Sequence, residues 1–395
     1  MAEHLKRRIG LGLLTAYGVG VMVGAGIYLL VGAVAGDAGI WAPLAFLLAG
    51  LVAAPTALSY SELSTRIPEA AGEAAFVYEG FNSQTLAVLV GLGIVATGMI
   101  SAAAVLRGGV GYLLVVLEVP DLAAIIVLGA LLTAVAAWGV MESLSLAALF
   151  TVIELIGLGL VVWAGMSAPP VSDWQAPPEI AWAGVSAGAV LAFFAFIGFE
   201  DIVNMAEEVS KPERTMPRAI LIALGVTTLI YALVTLATVR AVPQGVLALS
   251  DKPLALVWQA GRGGEGRFLA AIAVFAALNG VLAQIVMASR VLFGLGKRSA
   301  GLRVFHHAHP RRGTPVLATV LVGACVIAGA LALPVAVLAE ATASILLAVF
   351  VIVNLALILL KRRGGEAPFR VPMAVPVAGF VLSGGALALN LGVWP

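Results

Sequence analysis

The stretch Tyr17–Tyr28, YGVGVMVGAGIY, places Gly18, Gly20, Gly24 and Gly26 inside Ile9–Ala35, a run without a charged residue that is long enough to cross a bilayer. An interior glycine costs a helix roughly 1 kcal/mol against alanine, so a segment built only to span would not be written this way. Two readings account for the glycines. Gly20 and Gly24 form a G-x-x-x-G pair, the spacing that lets membrane helices approach closely. Alternatively, the helix breaks at Gly24–Ala25–Gly26 and bares backbone N–H and C=O groups at membrane depth. Such backbone is tolerated there only within protein or against a cavity. Taken alone, this segment favours close packing.

Composition sets the class. The chain has 395 residues, of which 62% are hydrophobic and 11% charged, and its mean hydropathy is +1.09. Those values belong to an integral membrane protein. Uncharged stretches recur at Ile9–Gly36, Ala38–Ser61, Thr85–Leu106, Leu122–Met141, Ile180–Phe199, Ala219–Val239, Phe268–Ser289, Gly313–Ala339, Ala341–Leu360 and Val371–Pro395. With Ser143–Ala168, which carries Glu154 as its one charge, they predict eleven membrane helices. Each matches the ~20 residues that a ~30 Å hydrocarbon core requires. The segment after Lys6-Arg7-Arg8 is longer than the apolar core of a signal peptide and is read as a retained helix. Cys325 is the only cysteine, which excludes an intrachain disulfide and a cysteine metal site. A net charge of +1 without a basic, aromatic-laced patch gives no reason to expect a nucleic-acid partner.

Lys and Arg are unevenly divided between alternate connections. Lys6-Arg7-Arg8, Lys297-Arg298 and Lys361-Arg362-Arg363 share a side with the N-terminus, whereas the opposite connections hold only Arg240, Lys252, Arg262 and Arg267. This bias predicts a cytoplasmic N-terminus in a plasma (inner) membrane. Two longer connections lie on the outer side: the proline-rich Ser167–Glu179, expected to be extended, and Pro243–Arg267, with room for a short surface helix.

A second unusual span is Ala192–Asp201, AFFAFIGFED, where an apolar run meets Gly198 and then Glu200-Asp201. A carboxylate at membrane depth costs about 2.5–3.5 kcal/mol on insertion scales, so the bundle interior or a water path must accommodate it. This is the sixth span and the glycine-rich one is the first. Interruptions at corresponding places in two sets of five helices point to an inverted repeat with a site at its midplane. The expected division is residues 1–166 and 180–360 as two five-helix repeats, with 371–395 an additional helix. The fold class is therefore an all-α membrane protein with discontinuous helices 1 and 6.

The same residues carry a family resemblance. Tyr60–Gly72 (YSELSTRIPEAAG), Phe194–Glu200 (FAFIGFE) and Ala206–Ile220 (AEEVSKPERTMPRAI) resemble the amino acid–polyamine–organocation transporters of the LeuT-like fold. Gly24–Tyr28 (GAGIY), Ala288–Leu292 (ASRVL) and Ala343–Leu347 agree in order and spacing. Eleven spans stand where that family typically has twelve. The resemblance implies a secondary active transporter for α-amino acids that works by alternating access, with a small-molecule amino acid and protons as partners and no cofactor. Its oligomeric state is open. It implies that the amides around Gly24, Ala25 and Gly26 receive the cargo carboxylate, a role suited to the positive end of the resumed helix. The carbonyls of Met22, Phe194, Ala195 and Ile197 would take the ammonium. Phe194, Phe196 and Phe199 would include the gate, with at least one of the three serving only as packing. Small residues such as Val23 and Ala25 lean towards neutral cargo. An exchanger, a decarboxylated-amine or sodium-coupled permease, and a non-transporting membrane receptor are the competing readings.

Glu154 is the sharpest charge. Intramembrane carboxylates are functional candidates by default, and Val152-Ile153-Glu154-Leu155 stands where proton-coupled members of the family often carry a lysine. Three readings are open: a proton carrier, a cation ligand, or a structural partner of Arg107. Glu200 is either a coupling group or hinge support for the helix-6 break, and Asn279 supplies a polar contact to the helix-1 break or to the cargo, or else interhelical packing. Glu207–Arg218 reads as a solvated loop of interleaved charges. His306, His307 and His309 lack helical metal-ligand spacing, so no metal site is expected. No catalytic arrangement or phosphate-cradling motif occurs, so no enzyme is expected.

Overall fold

The computed structural model describes residues 9–69, 72–250, 252–264, 266–310, 312–364 and 366–391. In chain order the helices are α1 (Leu11–Ala38), α2 (Ala42–Arg66), α3 (Gly72–Phe81), α4 (Gln84–Val116), α5 (Asp121–Trp138), α6 (Val140–Ser167) and α7 (Ser172–Gln175). They continue as α8 (Trp182–Phe193), α9 (Pro212–Ala241), α10 (Gln244–Ala248), α11 (Pro253–Arg262), α12 (Arg267–Arg298), α13 (Val316–Ala332), α14 (Val335–Arg363) and α15 (Ala374–Asn390). Among the described residues nine spans are long and apolar enough to cross a membrane, and α13 and α15 are shorter apolar helices. The protein is an all-α membrane protein. Its one isolated β-bridge among the described residues pairs Ile9 with Val209.

The sequence explains where these helices start and how they tolerate polar atoms. Prolines stand in the first turns of α2, α9 and α11, where a missing N–H costs nothing. Ser83 accepts from the Leu86 N–H and caps α4. Hydroxyls inside the apolar helices have no water to turn to, so Thr97, Thr133, Thr235 and Thr342 donate to the carbonyl four residues earlier.

Packing separates a centre from a lipid face. From Asn279 to Gly296 every residue of α12 is buried, the pattern of a helix surrounded by protein on all sides. Large apolar side chains point outward elsewhere: Leu89, Leu131, Ile156, Leu229 and Val381 are all more than half exposed. In water such a surface would drive association; around a bilayer-spanning bundle it faces acyl chains.

Charges gather where the helices end. Glu62 of α2 takes Arg66 at 2.6 Å and Lys361 of α14 at 2.7 Å, and it accepts the Val371 N–H. This ties α2 and α14 to the approach of α15. Two connections differ from the sequence expectation. The proline-rich one contains a helical turn, α7, and Pro243–Arg267 carries two helices, α10 and α11, rather than one. Glu207–Arg218 is not a solvated loop either. Its second half opens α9 at Pro212, and Glu208 is buried against Arg290 at 2.7 Å.

Candidate functional site

Two helix interruptions face each other at the centre of the bundle. In α1 the backbone leaves the helical region at Gly24 (φ −14°, ψ −156°). The second interruption follows α8: a 3-10 turn at Phe194–Phe196, an extended Ile197 (ψ 130°), Gly198 at φ 130°, and a 3-10 segment at Glu200–Glu208. The φ of Gly198 is one that side-chain-bearing residues rarely adopt, and a Cβ there would lie 2.8 Å from Val21 Cγ1 and 3.1 Å from the Met22 nitrogen. Gly26 reciprocates, since a Cβ on it would lie 3.1 Å from Ala195 Cα. Each interruption therefore closes on the other through a glycine.

Between them lies a small cavity of about 40 Å³, lined by Val21, Met22, Gly24, Gly26, Ser101, Val105, Phe194, Ala195, Ile197, Gly280 and Gln284. Its walls combine backbone polar groups, apolar side chains and two neutral polar side chains, with no ionisable side chain among the lining residues. Tyr231 of α9 joins the two interruptions directly. Its hydroxyl lies 2.5 Å from the Met22 carbonyl and 2.8 Å from the Ala195 carbonyl, both of which accept from it.

A second polar group sits on α6 and α12 beside the first half of α1. Asn279 Nδ2 donates to the Gly20 carbonyl at 3.3 Å and to Thr151 Oγ1 at 3.1 Å, and Thr151 reaches the Ala16 carbonyl at 3.4 Å. Gly20 permits this contact, because a Cβ there would sit 2.6 Å from the Asn279 amide. One turn along α6, Glu154 is fully buried with the Asn279 side chain beside its carboxylate. Asn279, Tyr28 and Tyr231 lie within its electrostatic reach.

Residues 9–395 match the sequence profile of the family described as amino acid permease. The chain belongs to the amino acid permease family. Its relatives include the branched-chain amino acid permease BcaP of Bacillus subtilis, 27% identical, with 99% of this chain and 89% of that one covered. The methylthioribose transporter of the same organism is 28% identical, over 97% of this chain and 87% of that one. The chloroplastic cationic amino acid transporter 9 of Arabidopsis thaliana is 32% identical over 78% of this chain, which spans 58% of that relative's length. These relatives are named as transporters, not enzymes.

In this member of the amino acid permease family, the residues read from the sequence fall in distinct places. Met22, Gly24, Gly26, Phe194, Ala195 and Ile197 line the one cavity, and Ala25 lies on the same stretch of α1. Phe196 and Phe199 are fully buried behind it. Phe196 meets the Tyr231 ring edge-on at 5.2 Å, and Phe199 packs on Tyr60 and Phe350. Glu200 turns its carboxylate back to accept the Gly198 N–H at 2.9 Å, while Glu154 and Asn279 lie together beside the first half of α1. The alternative partner for Glu154 is not formed, because Arg107 donates to the Ala330 carbonyl at 2.6 Å at the end of α13.

Sequence reasoning missed Tyr231, Ser101 and Gln284. A signal was present for Tyr231 and Gln284: each is an isolated polar group in a long apolar stretch, and a buried hydroxyl or amide requires a partner. The sequence did not say which helix would supply it.

Proposed function

We propose that this chain is a secondary active transporter that takes up α-amino acids with neutral side chains. Transport would run by alternating access of two five-helix repeats (residues 1–166 and 180–360, with 371–395 outside them) about the cavity. The backbone amides at Gly24, Ala25 and Gly26 receive the cargo carboxylate. The carbonyls of Met22, Phe194, Ala195 and Ile197 receive its ammonium, sharing Met22 and Ala195 with the Tyr231 hydroxyl. Uptake into the cytoplasm across the plasma (inner) membrane draws on the proton gradient, with Glu154 the proton carrier and Asn279 its polar neighbour on α12.

The observation that carries the cargo assignment is a cavity walled by both helix interruptions with no ionisable side chain among its lining residues. A cationic cargo side chain buried there would lack a counter-charge and cost several kcal/mol. A neutral one of modest size meets Val21, Val105 and Ile197, with Ser101 and Gln284 for a single polar atom. Binding to detergent-purified protein of L-leucine, L-lysine and isoamylamine, the decarboxylated form of leucine, tests this. Leucine is expected to bind at least tenfold tighter than either competitor. Equal or tighter binding of the amine removes the carboxylate from recognition, and tighter lysine binding removes the neutral-cargo reading. Methylthioribose, named for one relative, belongs in the same panel because it has neither amino nor carboxylate group.

A further inference from the structure

Below the cavity, towards the end of the bundle where α1 begins, three carboxylic side chains converge that the mechanism above does not use for coupling. Glu200 and Asp201 open the 3-10 segment that follows Gly198, and Glu73 lies in the first turn of α3; all three are buried. Asn204, one turn along the 3-10 segment, ties the two elements by accepting the Gly72 N–H at 3.0 Å.

Among the described residues each nearby cation has another partner. Arg290 of α12 is committed to Glu208 at 2.7 Å and to the Val286 carbonyl. Lys361 of α14 and Arg66 of α2 are taken by Glu62, Arg107 of α4 by the Ala330 carbonyl, and Arg214 and Arg218 of α9 are exposed. The remaining titratable groups facing the carboxyls are the hydroxyls of Tyr17 on α1 and Tyr60 on α2. Among the described residues no three His, Cys, Asp or Glu side chains converge closely enough to hold one metal ion.

Two buried tyrosine hydroxyls adjoin the carboxyls. Among the described residues the buried hydroxyls of Tyr60 and Tyr17 have no hydrogen-bond partner, while the Asn204 side chain lies beside the Glu73 carboxyl. Tyr60 is wedged edge-on between Phe76 of α3 at 6.0 Å and Phe199 at 5.7 Å, within reach of the charges of Glu73, Glu200 and Asp201. Buried hydroxyls need a hydrogen-bond partner, and the neighbouring acids are the groups within their reach. Three buried carboxylates without a cation cannot all stay ionised.

We propose that Glu73, Glu200 and Asp201 form a second proton-binding site, separate from Glu154, joined to the cargo cavity by Gln284. Gln284 lines the cavity and donates from Nε2 to Asp201 Oδ2. A cargo atom that engages its amide changes the hydrogen bond that Asp201 receives, and by linkage protonation of the acids changes cargo affinity by the same factor. Glu73, on α3 outside the long apolar helices, agrees with this: burial, with the Glu200 charge adding, raises its carboxyl from the ordinary 4.5 to about 8.

Infrared difference spectroscopy of the purified full chain, stepped from about pH 6 to about pH 9 across that value, tests the site without cargo or transport. In a Glu154→Gln background a protonated-carboxyl C=O band is expected that is lost near pH 8 and is removed or halved by Glu73→Gln or Glu73→Ser. No such band in the Glu154→Gln protein overturns the proposal even if the Glu73 variants fail to fold. A band untouched by both Glu73 variants also overturns it. Gln284→Leu should raise the frequency of the remaining band, because an acid carbonyl loses its N–H donor; an unmoved band cuts the link to the cavity. Failure of the transport reading would leave these spectra as they are.

Discussion

The Tyr231 hydroxyl donates to the Ala195 carbonyl at 2.8 Å, joining α9 to the second helix interruption, and the same oxygen reaches the Met22 carbonyl in the first. One hydroxyl has one proton, so it divides that proton between the two carbonyls and holds both interruptions at a fixed separation. Tyr231→Phe keeps the ring contacts with Phe46 and Phe196 and removes only this tie. Cargo affinity is expected to fall about fivefold, the effect of roughly 1 kcal/mol of net hydrogen bonding, with a lower thermal midpoint. Unchanged values of both would mean that the interruptions are held by packing alone.

Gly198→Ala meets two obstacles at once. Its φ of 130° suits glycine, and the added methyl group would press on Val21 Cγ1 and the Met22 nitrogen. A cost of about 2 kcal/mol or more is expected, with transport reduced more than tenfold. Gly225→Ala is the control: nothing lies within 4 Å of its Cβ position on α9, and replacing a helical glycine there should leave stability unchanged or slightly raised. Equal effects of the two substitutions would contradict the close approach at Gly198.

The pH dependence of stability has a definite sign. The folded chain retains a proton on Glu73 up to about pH 8, whereas a solvated glutamate releases it near 4.5. The folded state therefore binds more protons across that window, and the stability contributed by Glu73 is lost as pH rises through it. Glu73→Gln should flatten the decline of the thermal midpoint over the same window. A slope identical to that of the unaltered protein would show that Glu73 is ionised in the fold.

Much of the architecture was legible because bilayer physics writes itself into composition. Long uncharged runs can only be spans, and the interruptions showed themselves as glycines inside such a run and carboxylates at the end of another. Long-range pairing was not legible. Glu208 lies in a charged stretch that looks solvated, yet it is buried by Arg290, 82 residues away. Arg107 looked like a partner for Glu154 because both are lone charges in apolar helices, but a carbonyl at the end of α13 satisfies it. Tyr231 had no local sign of which backbone it would meet.

The Arg290–Glu208 pair, 3% and 5% exposed, allows a further check. Removing one member leaves a buried charge unmatched, so Arg290→Met should cost about 3–5 kcal/mol, whereas the double replacement Arg290→Met with Glu208→Met should cost much less. Thermal unfolding of the three variants in detergent measures this. Additive losses would show that the two charges are solvated independently.

The most direct test of the account is uptake of radiolabelled L-leucine into proteoliposomes under an inward proton gradient or an inward sodium gradient, for the unaltered protein and for Glu154→Gln. The account predicts accumulation driven by protons alone, and a variant that still exchanges leucine but no longer concentrates it. Accumulation that survives in Glu154→Gln, or that only sodium drives, would contradict the assignment of Glu154 as the proton carrier.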